Sequence, residues 1–263
     1  MFENLFYDGL FGCLLGQVSG NNSMFVLLMA LGVITSIVFP YLLGSVNSGI
    51  LLSRFVYHED IRTQGSGNAG ATNMLRTYGK KMGILTFLGD FVKGMLGVVI
   101  GRLMFGLLGA YIGGLFCVLG HIFPCYYKFK GGKGVATSAG MVLMTNWKVL
   151  LVLVVIFALL VYMTKYISFG SIMVYLLYPL LLNNMKSPTD PSIAIVFAFV
   201  ITILGVFMHR KNLKRIFDGT ESKLSFNVKD KPVGVEPEIS IPPDISDDES
   251  AAPAANGEDT DAQ

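Results

Sequence analysis

Residues 9–53 contain no Asp, Glu, Lys or Arg. A helix crosses a bilayer with ~20 apolar residues, so a run of this length and character constrains the chain more than any other feature. Further apolar stretches follow near 84–104, 107–127, 147–163, 167–183 and 191–208, with a shorter one at 135–146. Only 14% of the residues are charged, against roughly 25% in soluble proteins. The expected fold is therefore all-α, a polytopic membrane bundle whose helices satisfy their own backbone hydrogen bonds. The first span is placed at 26–53, after an N-terminal extension at 1–25. Glu3 and Asp8 make that extension a poor signal peptide, so insertion is expected to begin with the first span.

Charge is divided unevenly. From Asp230 onward ten acids face one Lys, a net −9, which leaves +11 on the remainder of a chain whose total is +2. A basic membrane body suits an anionic substrate or anionic headgroups, and part of the excess is ordinary positive-inside topology. The membrane domain is placed at 26–228. The Pro-, Ala- and acid-rich segment 229–263 is expected to be a disordered tail.

Three Lys/Arg clusters set the expected topology: residues 54–83, residues 128–134 and the segment His209-Arg210-Lys211-Asn212-Leu213-Lys214-Arg215. Placing all three on the cytoplasmic face requires even numbers of crossings between them. The stretch 135–146 must then count as a short helix. The result is about seven helices, an outside N-terminus and an inside C-terminus.

The first two clusters are glycine-rich loops. One contains Gly65-Ser66-Gly67-Asn68-Ala69-Gly70-Ala71-Thr72-Asn73 followed by Arg76; the other reads Lys130-Gly131-Gly132-Lys133-Gly134-Val135-Ala136-Thr137. Glycine lets backbone N–H groups converge on an anion, and cations and hydroxyls add further donors. Candidates for phosphate binding are Gly65, Gly67, Asn68, Thr72, Asn73, Gly131, Gly132, Gly134 and Thr137. The second loop fails the nucleotide phosphate-loop pattern. Gly134 follows Lys133 where Ser or Thr belongs, and Tyr127 stands where the first Gly belongs. Nucleotide hydrolysis is not expected.

His58, His121 and His209 form no metal-ligand spacing among themselves or with Cys13, Cys117 and Cys125, so neither metal nor cofactor is expected. The cysteines read as packing residues. His209, Asn212 and Arg215 share one helical face at a membrane exit. Asp90 and Lys93 lie inside an apolar stretch at i, i+3. They are read either as functional or as an orienting ion pair, with support of the first loop as the intermediate role.

In this order, these segments resemble the bacterial integral-membrane acyl-phosphate:glycerol-3-phosphate acyltransferases over about residues 36–222. Tyr41-Leu42-Leu43-Gly44-Ser45, Asp90-Phe91-Val92-Lys93-Gly94, Gly120-His121-Ile122-Phe123-Pro124 and Gly219-Thr220-Glu221 add to the likeness. The resemblance implies seven helices and a site facing the cytoplasm in the bacterial cell membrane. It implies acyl transfer to the 1-hydroxyl of glycerol 3-phosphate, giving lysophosphatidic acid for phospholipid synthesis. Acyl phosphate and glycerol 3-phosphate would be the partners, with membrane lipid and without nucleic acid. It carries site roles to Ser66, Asn68, Arg76, Lys133, His209 and Asn212. The general base is either His209 or a substrate phosphate oxygen, with the second preferred. A transporter of a phosphorylated solute is the alternative, but no internal repeat is visible and the donors cluster on one face.

Overall fold

A computed structural model describes residues 2–17, 22–188 and 190–224. The expected acidic tail lies outside the described residues. Those residues form ten α-helices and two 3-10 turns, with no strand among them. The helices are α1 (Phe2–Gln17), α2 (Asn22–Ser45), α3 (Ser48–Tyr57), α4 (Ala71–Tyr78) and α5 (Lys80–Ile122). They continue as α6 (Val135–Thr145), α7 (Trp147–Thr164), α8 (Ile167–Met185), α9 (Ala194–Met208) and α10 (Arg210–Phe217).

The long α5 is a hairpin. Phe105 and Gly106 leave helical geometry, Gly106 with φ 56°, and the two arms turn back on each other. Small residues let them meet backbone to backbone. A Cβ on Gly101 would strike the Gly109 carbonyl, and one on Gly97 would strike the Cys117 side chain. Close approach of this kind replaces the hydrophobic drive that lipid cannot supply. The other neighbours use the same device. Gly44 of α2 meets the Cys117 carbonyl, and Gly94 and Gly140 bring α6 against the first arm. Around this centre α7, α8 and α9 close a core containing Tyr111, Leu115, Met141, Val149, Tyr175, Leu182 and Ile201.

The outer faces are apolar. Leu159 on α7 is 57% exposed and Ile203 on α9 is 67% exposed, as surfaces that face lipid must be. Four stretches among the described residues are long and apolar enough to cross a membrane: Asn22–Tyr57, Lys80–Tyr127, Trp147–Thr164 and Ile167–Met185. The pair α9–α10, bent by 53°, makes a fifth. Lys80–Tyr127 contains the hairpin, so its two arms match the expected pair at 84–104 and 107–127. The apolar α6 is only 11 residues long.

Two expectations need correction. The span placed at 26–53 begins at Asn22 and breaks at Val46–Asn47, because the Asn47 side chain accepts from Ile50 N (3.2 Å) and starts a new helix. The loop placed at 54–83 holds the end of α3, all of α4 and the start of α5. Gly79, with φ 98°, separates the last two with a single residue. The N-terminal extension is helical over Phe2–Gln17 and turns at Gly9 (φ 76°), where a Cβ would strike the Phe105–Gly106 turn.

Candidate active site

The first glycine loop is tied together by near neighbours. Asn73, 3% exposed, accepts from Ser66 N (2.9 Å) and donates to the carbonyls of Ile61, Gln64 and Asn68 (3.2, 3.0 and 2.9 Å). Gly65 and Gly67 sit at φ 54° and 72°, and a Cβ on Gly65 would collide with Asn73 Oδ1. Asp60 binds Arg62 in two-pronged fashion (2.7 and 3.0 Å) and also takes Arg54 (2.8 Å). The Arg62 hydrogen bonds hold its carboxyl far below the usual range. Arg62 also donates to the Tyr127 and Lys130 carbonyls (2.8 and 3.1 Å), joining the two loops.

This loop delivers Ser66, Asn68, Thr72 and Arg76 to a cavity of about 350 Å³. The first turn of α4 opens on that cavity through Ala71 and Thr72, adding the positive end of a helix. Opposite stand Lys133 and Gly134 of the second loop. A third wall carries His209, Asn212, Arg215 and Glu221 from the α9–α10 bend and the segment after it. The same lining also carries apolar side chains, Ile84, Phe87, Phe157 and Ile167.

A hydrogen-bond chain fixes the cations. Lys133 Nζ donates to Asn212 Oδ1. Asn212 Nδ2 donates to Glu221 Oε1 (2.8 Å), which also takes Ser168 Oγ (2.7 Å), and Arg215 Nε donates to Oε2 (2.7 Å). Burial alone would raise the Glu221 carboxyl, but its Asn212, Arg215 and Ser168 partners outweigh that and hold it below its ordinary value. Burial, helped by Arg215 and Arg76, pushes Lys133 down to about 8. Arg76 donates to the Ser222 carbonyl (2.9 Å). Lys133, Arg76 and Arg215 gather around Glu221, and the other carboxylate of the lining, Asp90, is paired with Lys93, so the cavity is built for an anion. His209 is 2% exposed and its Nδ1 lies 2.7 Å from the Gly205 carbonyl, so Nδ1 carries a proton and Nε2 is the nitrogen left to act.

Nine of the residues nominated from sequence thus line one cavity: Ser66, Asn68, Thr72, Asn73, Arg76, Lys133, Gly134, His209 and Asn212. Among them Asn73 spends its side chain on the loop itself. Five others lie elsewhere. Gly65 shapes the turn. Gly67 and Gly131 face a separate surface recess with Arg62, Lys128 and Lys130. Gly132 lies flat on the His121 ring. Thr137 is fully buried between α6 and α5, its hydroxyl without a hydrogen-bond partner, so it offers nothing to a ligand.

Comparison with known proteins gives the family. The family model described as glycerol-3-phosphate acyltransferase matches residues 34–219. The chain belongs to the glycerol-3-phosphate acyltransferase family. A relative of that name from Finegoldia magna is 43% identical over 187 residues, covering 71% of this chain and 93% of its own. One from Pseudomonas fluorescens is 45% identical over 188 residues, covering 70% and 95%. The crystal structure of PlsY (YgiH), an integral membrane glycerol 3-phosphate acyltransferase in its glycerol 3-phosphate form, superposes with a TM-score of 0.69 at 35% identity. It covers 73% of this chain and 96% of that one. The lysophosphatidic acid form of the same enzyme gives 0.67 at 34%. The acyltransferase is a multi-pass protein of the bacterial membrane.

Sequence reading missed Glu221, Arg215 and Ser168 as members of this cavity. Glu221 stood within a quoted motif and Arg215 on the His209 face, but their convergence depends on how the chain turns after α10. Ser168, at the start of α8, carried no signal. Asp90 and Lys93 are both buried, and they pin the α2–α3 break rather than the first loop. Lys93 Nζ donates to the Val46 carbonyl (2.7 Å), and Ser48 N donates to Asp90 Oδ1 (3.4 Å).

Proposed function

We propose that the chain moves a fatty acyl group from acyl phosphate to the 1-hydroxyl of glycerol 3-phosphate, releasing lysophosphatidic acid and phosphate. The observation that carries this reading is a single cavity lined both by the cations Arg76, Lys133 and Arg215 and by the apolar side chains Ile84, Phe87 and Phe157. Such a cavity suits both phosphate groups and an acyl chain. The work falls to the membrane domain at 26–228, drawn as seven crossings with the N-terminus outside and the site on the cytoplasmic face. Support for that topology is the gathering of both basic loops and the α9–α10 bend at one cavity, since groups that share a site share a face.

Acyl phosphate is already activated, so the protein's task is juxtaposition and charge stabilisation. Arg76 and Lys133 hold the phosphates, Arg76 with a planar fork and Lys133 as a point charge. Ser66, Asn68 and the first amides of α4 face the developing oxyanion. The glycerol hydroxyl attacks the acyl carbonyl carbon, the carbon–oxygen bond to phosphate breaks, and inorganic phosphate leaves. The hydroxyl proton passes to a phosphate oxygen of the bound substrates, with His209 Nε2 binding phosphate as the acceptor of a hydrogen bond from that protonated oxygen. Neither metal nor cofactor enters the scheme.

The test is purified protein supplied with acyl phosphate and glycerol 3-phosphate and scored for lysophosphatidic acid and free phosphate. Acyl thioesters run in parallel. Product from acyl phosphate alone is expected; product from a thioester alone overturns the donor assignment. His209→Gln is expected to weaken substrate binding more than turnover.

A further inference from the structure

We infer that His121 is a positioning residue: it is the floor on which the second glycine loop is folded, and it sets where Lys133 stands in the cavity. The inference rests on the reading of Lys133 as a phosphate-binding cation. Two backbone bonds lay the loop along the end of α5. Gly132 N donates to the His121 carbonyl and Gly131 N to the Ile122 carbonyl, each at 3.1 Å. The side chain completes the support. A Cβ on Gly132 would land on His121 Nε2, and one on Gly131 would land on the His121 carbonyl. The residue next along the chain from Gly132 is Lys133. Any change in the height of the ring is therefore passed directly to the base of the catalytic lysine.

The ring in turn has a foundation. His121 Nδ1 faces Asp90 Oδ1 at 3.6 Å, and Lys93 Nζ lies 2.9 Å from the same oxygen. Lys93 and Asp90 also hold the Val46 carbonyl and Ser48 N at the α2–α3 break. All three side chains are buried, with exposures of 2%, 1% and 5% for His121, Asp90 and Lys93. Charged groups are costly at such depth, and a well-packed apolar set would fill the same space at less cost. What apolar residues would not supply is directional fixing of three backbone segments at one point. The set therefore runs from the broken second helix, through Asp90, to the loop that presents Lys133. A misplacement of ~1 Å at a reacting group costs on the order of 100-fold in rate, so a firm floor has a use that packing alone does not explain.

A double-mutant cycle between Gly132 and His121 decides the matter, read as initial rates with each substrate varied and as thermal unfolding midpoints in detergent. Gly132→Ala is expected to raise KM for glycerol 3-phosphate about 10-fold, because its methyl collides with the ring. His121→Asn, shorter but still able to donate toward Asp90, is expected to raise the same KM about 5-fold, since the loop loses its floor. KM for acyl phosphate should stay within about 2-fold in both. Combining the two is expected to leave the enzyme no worse than Gly132→Ala alone, because the methyl now enters the space the ring left. Multiplying effects in the double variant overturn the inference. So does a His121→Asn enzyme with kcat lost and KM unchanged, which would make His121 a reacting group. Unfolding midpoints give the same coupling without reference to activity. Should His121→Asn not fold, His121→Gln takes its place in the cycle. A wild-type enzyme that makes no lysophosphatidic acid overturns the proposed reaction itself. Active wild type without Gly132–His121 coupling overturns only the positioning role.

Discussion

The two glycine loops look alike in sequence and are built in opposite ways. The first is fastened by residues close along the chain: the Asn73 hydrogen bonds span 5 to 12 residues, and Asp60 and Arg62 are two apart. The second has local backbone bonds to His121 and Ile122, but its lysine and outer edge reach far for support. Lys133 meets Asn212 across 79 residues, Tyr175 faces the Lys133 carbonyl across 42, and Arg62 reaches the Lys130 carbonyl across 68. One loop is thus a local fold carried by the bundle. The other is laid on the end of α5, and its lysine finds its partners only when α8 and the α9–α10 bend have come in. A site assembled this way has a self-supporting half and a half that reports on the assembly of the whole molecule.

If that contrast holds, the largest separation of activity from stability belongs to the second loop. Lys133→Met keeps the length of the buried stem and removes the charge. It is expected to lower kcat/KM by about 100- to 1000-fold, the usual loss for a preorganised electrostatic group. The unfolding midpoint should stay within a few degrees, because the cation's chief partner is a neutral amide. A Lys133→Met enzyme that unfolds early would mean that the lysine holds the bundle together, and the contrast would fail on that side.

Asn73→Ala tests the opposite half. It removes four hydrogen bonds from a buried position and orphans the Ser66 amide and the Asn68 carbonyl, while the Ile61 and Gln64 carbonyls keep the Gln64 and Gly67 amides. Each buried orphan costs about 1–3 kcal/mol before relaxation. Activity is expected to fall roughly 30-fold, with a midpoint lowered by about 5 °C or more. Both readouts should move together here, unlike at Lys133. Loss of activity with an unchanged midpoint would show that Asn73 touches substrate, and the local-fold account of the first loop would be wrong.

What was legible in the sequence follows the same division. Loop one's parts lie within one short segment, so its glycines, amides and Arg76 could be picked out together. Helices α7, α8 and α9 were placed within a few residues because lipid demands continuous apolar runs, and runs survive reading one letter at a time. The break at Asn47 was hidden inside an uncharged stretch, where a single capping side chain outweighs hydropathy. Lys133 was visible as a cation beside glycines. Its surroundings were not, since Tyr175, which bonds its carbonyl, and Glu221 and Ser168, which reach it through Asn212, have no common spacing with it. Thr137 was grouped with the loop by adjacency, but helix periodicity turns its side chain into the α5–α6 contact.

The depressed Lys133 gives a pH test of moderate size. Its charged form is the one that binds phosphate. With its pKa near 8, that form is lost as pH rises through this value. KM for glycerol 3-phosphate is therefore expected to climb a few-fold between about pH 7 and pH 9 in the wild type, while bound phosphate moves the midpoint upward. Lys133→Arg cannot lose its charge in that range, so its KM, higher at the start, should stay level. Equal slopes in the two enzymes would remove Lys133 as the titrating group.

The smallest effect is expected where the sequence nominated a ligand and the structure places a packing residue. Thr137 adjoins the second loop and has the chemistry of a phosphate donor, yet its Oγ1 is buried with no hydrogen-bond partner. Its carbonyl is where the α6 backbone meets Gly94 on α5. Valine has nearly the same shape and branching, and it removes a hydroxyl that is desolvated without compensation. Thr137→Val should leave both KM values within 2-fold of wild type, by about the measure used for surface-neutral changes, and hold or slightly raise the unfolding midpoint. Thr137→Gly, by contrast, takes the side chain out of a helix contact and should lower the midpoint without a selective effect on glycerol 3-phosphate. A selective KM defect in the valine variant would return Thr137 to the phosphate site and extend the second loop one helical turn beyond Gly134.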